Sequence, residues 1–183
     1  MTYASKALTL LAATCFASSV GAQEVRPRTG PVIHSAGPVY AVPNPTFATP
    51  TDLTYKVAFE IANGADSPER MNSQLGTVAR FLNMHAQAGV ARSQVHVAAV
   101  VHGTAGKDLL ADAAYRERYG TDNPNSELIR ELIEAGAQIV LCGQTAAARG
   151  IDRERLIPGV AVSLSAMTAL FAFQESGYRI NLW

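Results

Sequence analysis

From Tyr55 onward, short apolar runs alternate with amphipathic stretches. Lys56-Val57-Ala58-Phe59-Glu60-Ile61-Ala62 reads as a first strand. Over 68–88, Met71, Leu75, Val78, Leu82 and His85 recur at spacings of four, three, four and three, the signature of one helix face. Ser67 is its expected cap, Pro68 its first turn and Gly89 its stop. Gln94 to Val101 is a second strand whose end, Val97-Ala98-Ala99-Val100-Val101, is apolar on both faces, as in a parallel sheet. A looser helical stretch follows over 107–118, with a polar turn over 120–124. Asn125 or Ser126 caps a helix that runs to about Ala135, with Leu128, Ile129, Leu132 and Ile133 inward. Gln138 to Leu141 is the third strand, 144–149 a short helix, and Gly159 to Leu164 the fourth strand. A helix over 166–176 and a strand over 178–182 complete the series. This alternation predicts right-handed crossovers and a mostly parallel five-stranded sheet covered on both faces, a three-layer α/β/α domain over 54–183.

The pattern before Tyr55 is different. Residues 23–53 hold six of the nine prolines, which excludes a helix and favours extended or turn structure. Val32-Ile33 and Val39 to Val42 are candidate edge strands. This arm is expected either to pack on the domain or on a neighbouring subunit, or to serve as a tether. Residues 1–22 read as a secretory signal: Lys6, a short apolar core from Ala7 to Phe16, then Val20-Gly21-Ala22 as a cleavage site. Cleavage after Ala22 makes the mature chain periplasmic or secreted. The apolar run is too short to span a bilayer, so no membrane association is expected after cleavage.

Charge removes further classes. The 183 residues hold fifteen basic and fifteen acidic side chains, and no basic run with interleaved aromatics, so nothing points to nucleic acid. No His, Cys or carboxylate set has metal-ligand spacing, and no Gly-rich phosphate loop is present. No metal or cofactor is expected.

Removal of the signal would take Cys15 with it and leave Cys142 as the only cysteine. In a parallel sheet, ligands bind where the strands end. Asn63 and Gly64 follow the first strand, His102 and Gly103 the second, Cys142 and Gly143 the third, and Ser163 and Ser165 the fourth. Cys142 is the one strong nucleophile in that set. A helix starting behind it, at Gly143 and Gln144, offers free N–H groups and partial positive charge that favour a thiolate. The same cysteine reads equally as a small buried hydrophobe. His102 is either a base or counter-ion for the thiolate or a histidine that steadies the Gly103 turn. Asn125, in Asn123-Pro124-Asn125-Ser126, is a helix cap that could also line the cleft.

Several segments, taken in order, resemble the DsrE/DsrF-like sulfur-relay family. They are Tyr55-Lys56-Val57, Val101-His102-Gly103, Asn123-Pro124-Asn125, Gly136-Ala137, Leu141-Cys142-Gly143-Gln144, Ala147-Ala148-Arg149-Gly150-Ile151 and Pro158-Gly159-Val160. The resemblance spans about 55–183, and the leader and arm look like an exported branch. It implies a three-layer α/β fold that forms homo-oligomers. It also implies that Cys142, at the position of the family's sulfur-accepting cysteine, carries sulfane sulfur as a persulfide between a donor and an acceptor thiol. The expectation is therefore a periplasmic sulfur carrier or sulfurtransferase with Cys142 as its reactive group. His102, Gly103, Gly143, Gln144, Asn63 and Asn125 are its supporting candidates. The alternative is a non-catalytic module that binds a small ligand or a protein, with Cys142 structural.

Overall fold

The computed structural model describes residues 26–182, so the signal reading lies outside the described residues. Five strands form one sheet: β1 (Tyr55–Ile61), β2 (Val95–Val101), β3 (Gln138–Cys142), β4 (Ala161–Ser163) and β5 (Arg179–Leu182). Their spatial order is β4-β3-β2-β1-β5, and every pairing is parallel. Parallel neighbours need crossovers, and the helices supply them. These are α1 (Ser73–Gln87), α2 (Asp112–Tyr119), α3 (Ser126–Glu134), α4 (Gly143–Arg149) and α5 (Ala166–Glu175).

Strand alternation sorts the core into two layers. Phe59, Ile61, Val97, Ala99, Val101, Ile139 and Leu141 face α1, α2 and α3, meeting Leu75, Val78, Leu82, Tyr115, Leu128, Ile129 and Leu132. Val100 and Cys142 face the other way, onto Ala166 and Ala169 of α5. The strong apolar stripe of α1 and α3 thus built the larger layer, and α5 covers the opposite face.

Two expected elements are corrected. The first helix does not begin at Pro68 under a Ser67 cap. It starts five residues later, at Ser73, because Asn72 caps it by accepting the Gln74 N–H at 2.8 Å. The Pro68 carbonyl instead accepts the Tyr115 hydroxyl at 3.0 Å. The stretch over 107–118 is not one helix. A 3-10 turn, Gly103–Leu109, is separated from α2 by Leu110 and Ala111, whose extended backbone interrupts helical bonding.

The arm packs on its own domain. Ile33 is fully buried and Ala36 and Val39 nearly so, all part of the main core or beside it. Burying the Ile33 side chain contributes roughly 2 kcal/mol. Asn83, buried in α1, holds the turn: its Oδ1 accepts from Val32 N and Ile33 N, and its Nδ2 donates to the carbonyls of Ile33, Ala36 and Gly37. Gly37 is required there, since a Cβ would stand 2.3 Å from the Arg80 backbone nitrogen. The expected edge strands reduce to one antiparallel bridge between Arg28 and Val39. Neither segment joins the sheet, whose outer strands are β4 and β5.

Candidate functional site

Cys142 ends β3 and is the N-cap of α4. Its neighbour on the sheet edge is Ser163, in register with it on β4. Close approach of these strands explains Gly143, where a Cβ would lie 2.4 Å from the Ser163 carbonyl oxygen. Gly103 has the same role beside β1. Its φ is +58°, and a Cβ would lie 2.6 Å from the Ala62 carbonyl oxygen.

The sulfur is nearly buried, with 6% of the residue exposed, against Val100, Ala166 and Ala169. The burial reading of the sequence is therefore correct as far as exposure goes. The surroundings are nonetheless not purely aliphatic. Burial pushes the Cys142 thiol up, but the Thr145 N–H, the Ala166 N–H, the Thr145 hydroxyl and the Gln144 N–H outweigh it, and the thiol stands below its ordinary value. The sulfur closes no conventional capping hydrogen bond. These amides act as oriented dipoles at the longer range that a large, soft acceptor imposes. Two helix starts converge on it, because Ala166 opens α5 under its own Ser165 cap, which accepts from Thr168 N at 3.1 Å. Of the two amides expected at the sulfur, Gly143 and Gln144, Gln144 acts on it, joined by Thr145 and Ala166. The missed signal was β4 beside β3, which brings the next helix start to the same edge.

Thr145 is fixed in turn. Its Oγ1 accepts the Gly103 N–H at 3.0 Å. That uses acceptor capacity on the oxygen and leaves its proton for the sulfur. Gly103 thus serves the site through its backbone. Gln144 is exposed, and its Nε2 donates to the Leu164 carbonyl at 3.3 Å, tying α4 to the start of α5.

His102 does not hydrogen-bond to the thiol. Its Nε2 is 2.9 Å from Glu60 Oε1, with both side chains about two-thirds or more covered. Asn63 is exposed and lines a separate hollow of about 280 Å³ with Asp66, Arg70 and Gln74. Asn125 is fully buried. Its Oδ1 accepts from Asn72 N at 2.7 Å and its Nδ2 donates to Asn123 Oδ1 at 3.0 Å. It is also the N-cap residue of α3, but without a capping side-chain bond. This network continues to the buried carboxylate of Asp108, which accepts from Asn72 Nδ2 and Lys107 Nζ. It braces the loops under the sheet edge.

A comparison with curated proteins finds no match. Among solved structures, the chain is similar to a protein of unknown function, MTH1491 from Methanobacterium thermoautotrophicum. That match has a TM-score of 0.53 at 22% identity, covering 70% of this chain and 99% of that one. It is also similar to the ychN protein from E. coli, with a TM-score of 0.51 at 16% identity, covering 70% of this chain and 99% of that one. At such identities the likeness shows a shared fold. The sequence profile of the DsrE/DsrF-like family matches residues 56–181, which holds every strand but the first residue of β1 and the last of β5; the chain belongs to the DsrE/DsrF-like family.

Proposed function

We propose that the protein carries sulfane sulfur as a persulfide on Cys142. The observation that carries this reading is the set of donors around a nearly buried sulfur, from Thr145, Ala166 and Gln144, that hold the thiol below its ordinary value. A structural cysteine gains nothing from stabilised negative charge, whereas a nucleophile does, since the thiolate is the reacting form. The thiolate attacks the outer sulfur of a persulfide donor, the donor's S–S bond breaks, and the donor leaves as a thiol. A second thiol then removes the sulfur by the same exchange. Membership in the family supports sulfur relay as the setting. The export reading of residues 1–22 adds the periplasm or the exterior as the compartment. N-terminal sequencing of the exported chain would then begin at Gln23.

Homo-oligomer formation belongs to the same proposal. Leu164, just before α5, and Met167 and Phe171 on α5 are exposed apolar side chains, on the side of the sheet that carries Cys142. Intact mass tests the carrier role. Treatment with polysulfide or a small persulfide adds one sulfur, about 32 Da, and Cys142→Ala abolishes the gain. No gain under any donor overturns it.

One observation favours a second reading, a binding module with a structural cysteine: the 6% exposure of Cys142. Labelling separates the two. A carrier alkylates in the native state with small reagents, whereas a structural thiol alkylates only after denaturation.

A further inference from the structure

The α5-facing side of the sheet holds more than the cysteine. Glu60 and Val100 are partners in the β1–β2 register, and Val100 and Val140 are partners in the β2–β3 register. Side chains alternate along a strand, so His102, two residues past Val100, faces the same side, as does Cys142, two past Val140. His102 keeps extended backbone, with φ −150° and ψ −171°, and its N–H continues the ladder to the Ile61 carbonyl at 2.9 Å. The last β2–β3 pair is Val101 with Leu141. His102 and Cys142 are the next position on each strand, just past that last pair, and both belong to the α5 side. Acid, imidazole and thiol therefore stand in a row on three adjacent strands.

The hydrogen bond fixes the chemistry of the ring. A carboxylate only accepts, so Glu60 Oε1 takes the Nε2–H of His102. In the neutral ring the basic lone pair is then on Nδ1, which has no partner among the described residues. Nδ1 is attached next to the ring's root and stays near the His102 backbone, on the strand adjoining Cys142. Lys107 is bound to Asp108, and α4 has no charged residue before Arg149 at its carboxyl end. On α5 the first charged residue is Glu175, and Lys56 stands at the opposite end of β1, donating to the Ser176 carbonyl.

We infer that Glu60 and His102 form a proton relay for Cys142, with His102 as the proton carrier and Glu60 as the residue that positions it. Nδ1 takes the thiol proton, directly or through one water. The thiolate attacks the outer sulfur of R–S–SH, a new S–S bond forms on Cys142, the donor's S–S bond breaks, and R–S⁻ leaves with the bonding pair. The imidazolium returns the proton to R–S⁻. The sum is Cys142–SH and R–S–SH going to Cys142–S–SH and R–SH, with no external oxidant or acid. Glu60 stabilises the imidazolium during the exchange.

The relay rests on the sulfur-carrier reading for its donor but can be tested without one. The alkylation rate of Cys142 by iodoacetamide, followed from about pH 5 to pH 10, reports thiolate formation directly. In the native chain the profile has two steps, one from the coupled pair and one from the thiol beside neutral His102. His102→Asn leaves a single step at higher pH and slows alkylation at pH 7 about tenfold, a shift of one pKa unit. Glu60→Gln has a smaller effect in the same direction. A folded His102→Asn variant whose profile overlays the native one overturns the relay. If that variant does not fold, NMR titration of His102 in the native chain and in Cys142→Ala decides: the ring midpoint falls when the thiolate is removed, and an unchanged midpoint overturns the relay. The two proposals fail separately. A His102-dependent step without any persulfide adduct sinks sulfur carriage and keeps the relay. An adduct that forms equally fast in His102→Asn sinks the relay and keeps sulfur carriage.

Discussion

The Gly103 N–H donates to Thr145 Oγ1 at 3.0 Å, and the Thr145 hydroxyl in turn faces the Cys142 sulfur. Two residues from different strand ends thus act on the thiol as one unit. Removing the hydroxyl with Thr145→Val keeps the shape and deletes one donor to a charged group. Such a bond is worth about 1.5–3 kcal/mol when well shielded. Thr145 is half-buried, and partial solvent screening reduces the expected effect to about one pKa unit. The midpoint of alkylation against pH should rise by that amount in Thr145→Val and return in Thr145→Ser. Equal midpoints in all three proteins would remove the hydroxyl from the account.

Gly143 ties the site to the sheet. An alanine there places a Cβ 2.4 Å from the Ser163 carbonyl oxygen, and that atom is backbone, which cannot swing aside. Either β4 or the start of α4 must move. Overpacking of this kind costs about 1–3 kcal/mol. Gly143→Ala should lower the urea midpoint accordingly and also raise the thiol midpoint, because the Gln144 and Thr145 amides shift with the helix. Urea unfolding and alkylation on the same samples check both halves.

The sequence made the fold readable because local and tertiary preferences agree. The stripe at Leu75, Val78 and Leu82 and the doubly apolar run at Val97 to Val101 each have one reasonable use, and the structure uses them so. The helix start was misread because Ser67-Pro68 is a good local signal that tertiary bonding overrides: Asn72 is held by Asn125 and Asp108, residues 53 and 36 positions away. The site was half readable. Cys142 before Gly143 and Gln144 is a local pattern. Glu60 beside His102 and Ala166 beside Cys142 depend on strand order, which alternating strands and helices leave open. Asn125 reads as a cap that could line the cleft because a polar turn near a strand end resembles a ligand loop; its side chain is spent on Asn72 and Asn123.

Asn83 explains how an arm without regular structure stays in place. Its amide makes five hydrogen bonds to the backbone of residues 32–37, all inside the protein. Asn83→Ala takes this partner from two N–H groups and from the Ala36 and Gly37 carbonyls, while the Ile33 carbonyl keeps the Gly30 N–H. Some rehydrate as the arm loosens, so the expected loss is about 2–3 kcal/mol rather than the sum of the separate penalties. Limited proteolysis should then cut between 26 and 40 well before the domain, while Cys142 alkylation stays unchanged. Cleavage at the native rate would mean that the apolar contacts of Ile33 suffice.

Glu131 supplies the arm's second clasp and makes it sensitive to acid. Its Oε2 accepts from His34 N at 3.0 Å, Ser35 N at 3.0 Å and Ser35 Oγ at 2.7 Å. Burial pushes its carboxyl up, but the bonds from Ser35 and His34 together outweigh this and hold it below the usual carboxylate range. A carboxylate with a depressed folded value stabilises fully above its unfolded value, about 4.3, and the stabilisation disappears as pH falls through the folded value. The clasp is therefore complete at neutral pH and opens only in acid below about pH 4. Glu131 is half-buried and clasps only the arm, so the loss should be local. Amide exchange at His34 and Ser35 should accelerate in that window, relative to its normal pH dependence, while core amides of β2 stay protected. Glu131→Gln should show fast exchange at these two amides already at neutral pH and no further acid step. Persistence of the acid step in Glu131→Gln would assign it to another group.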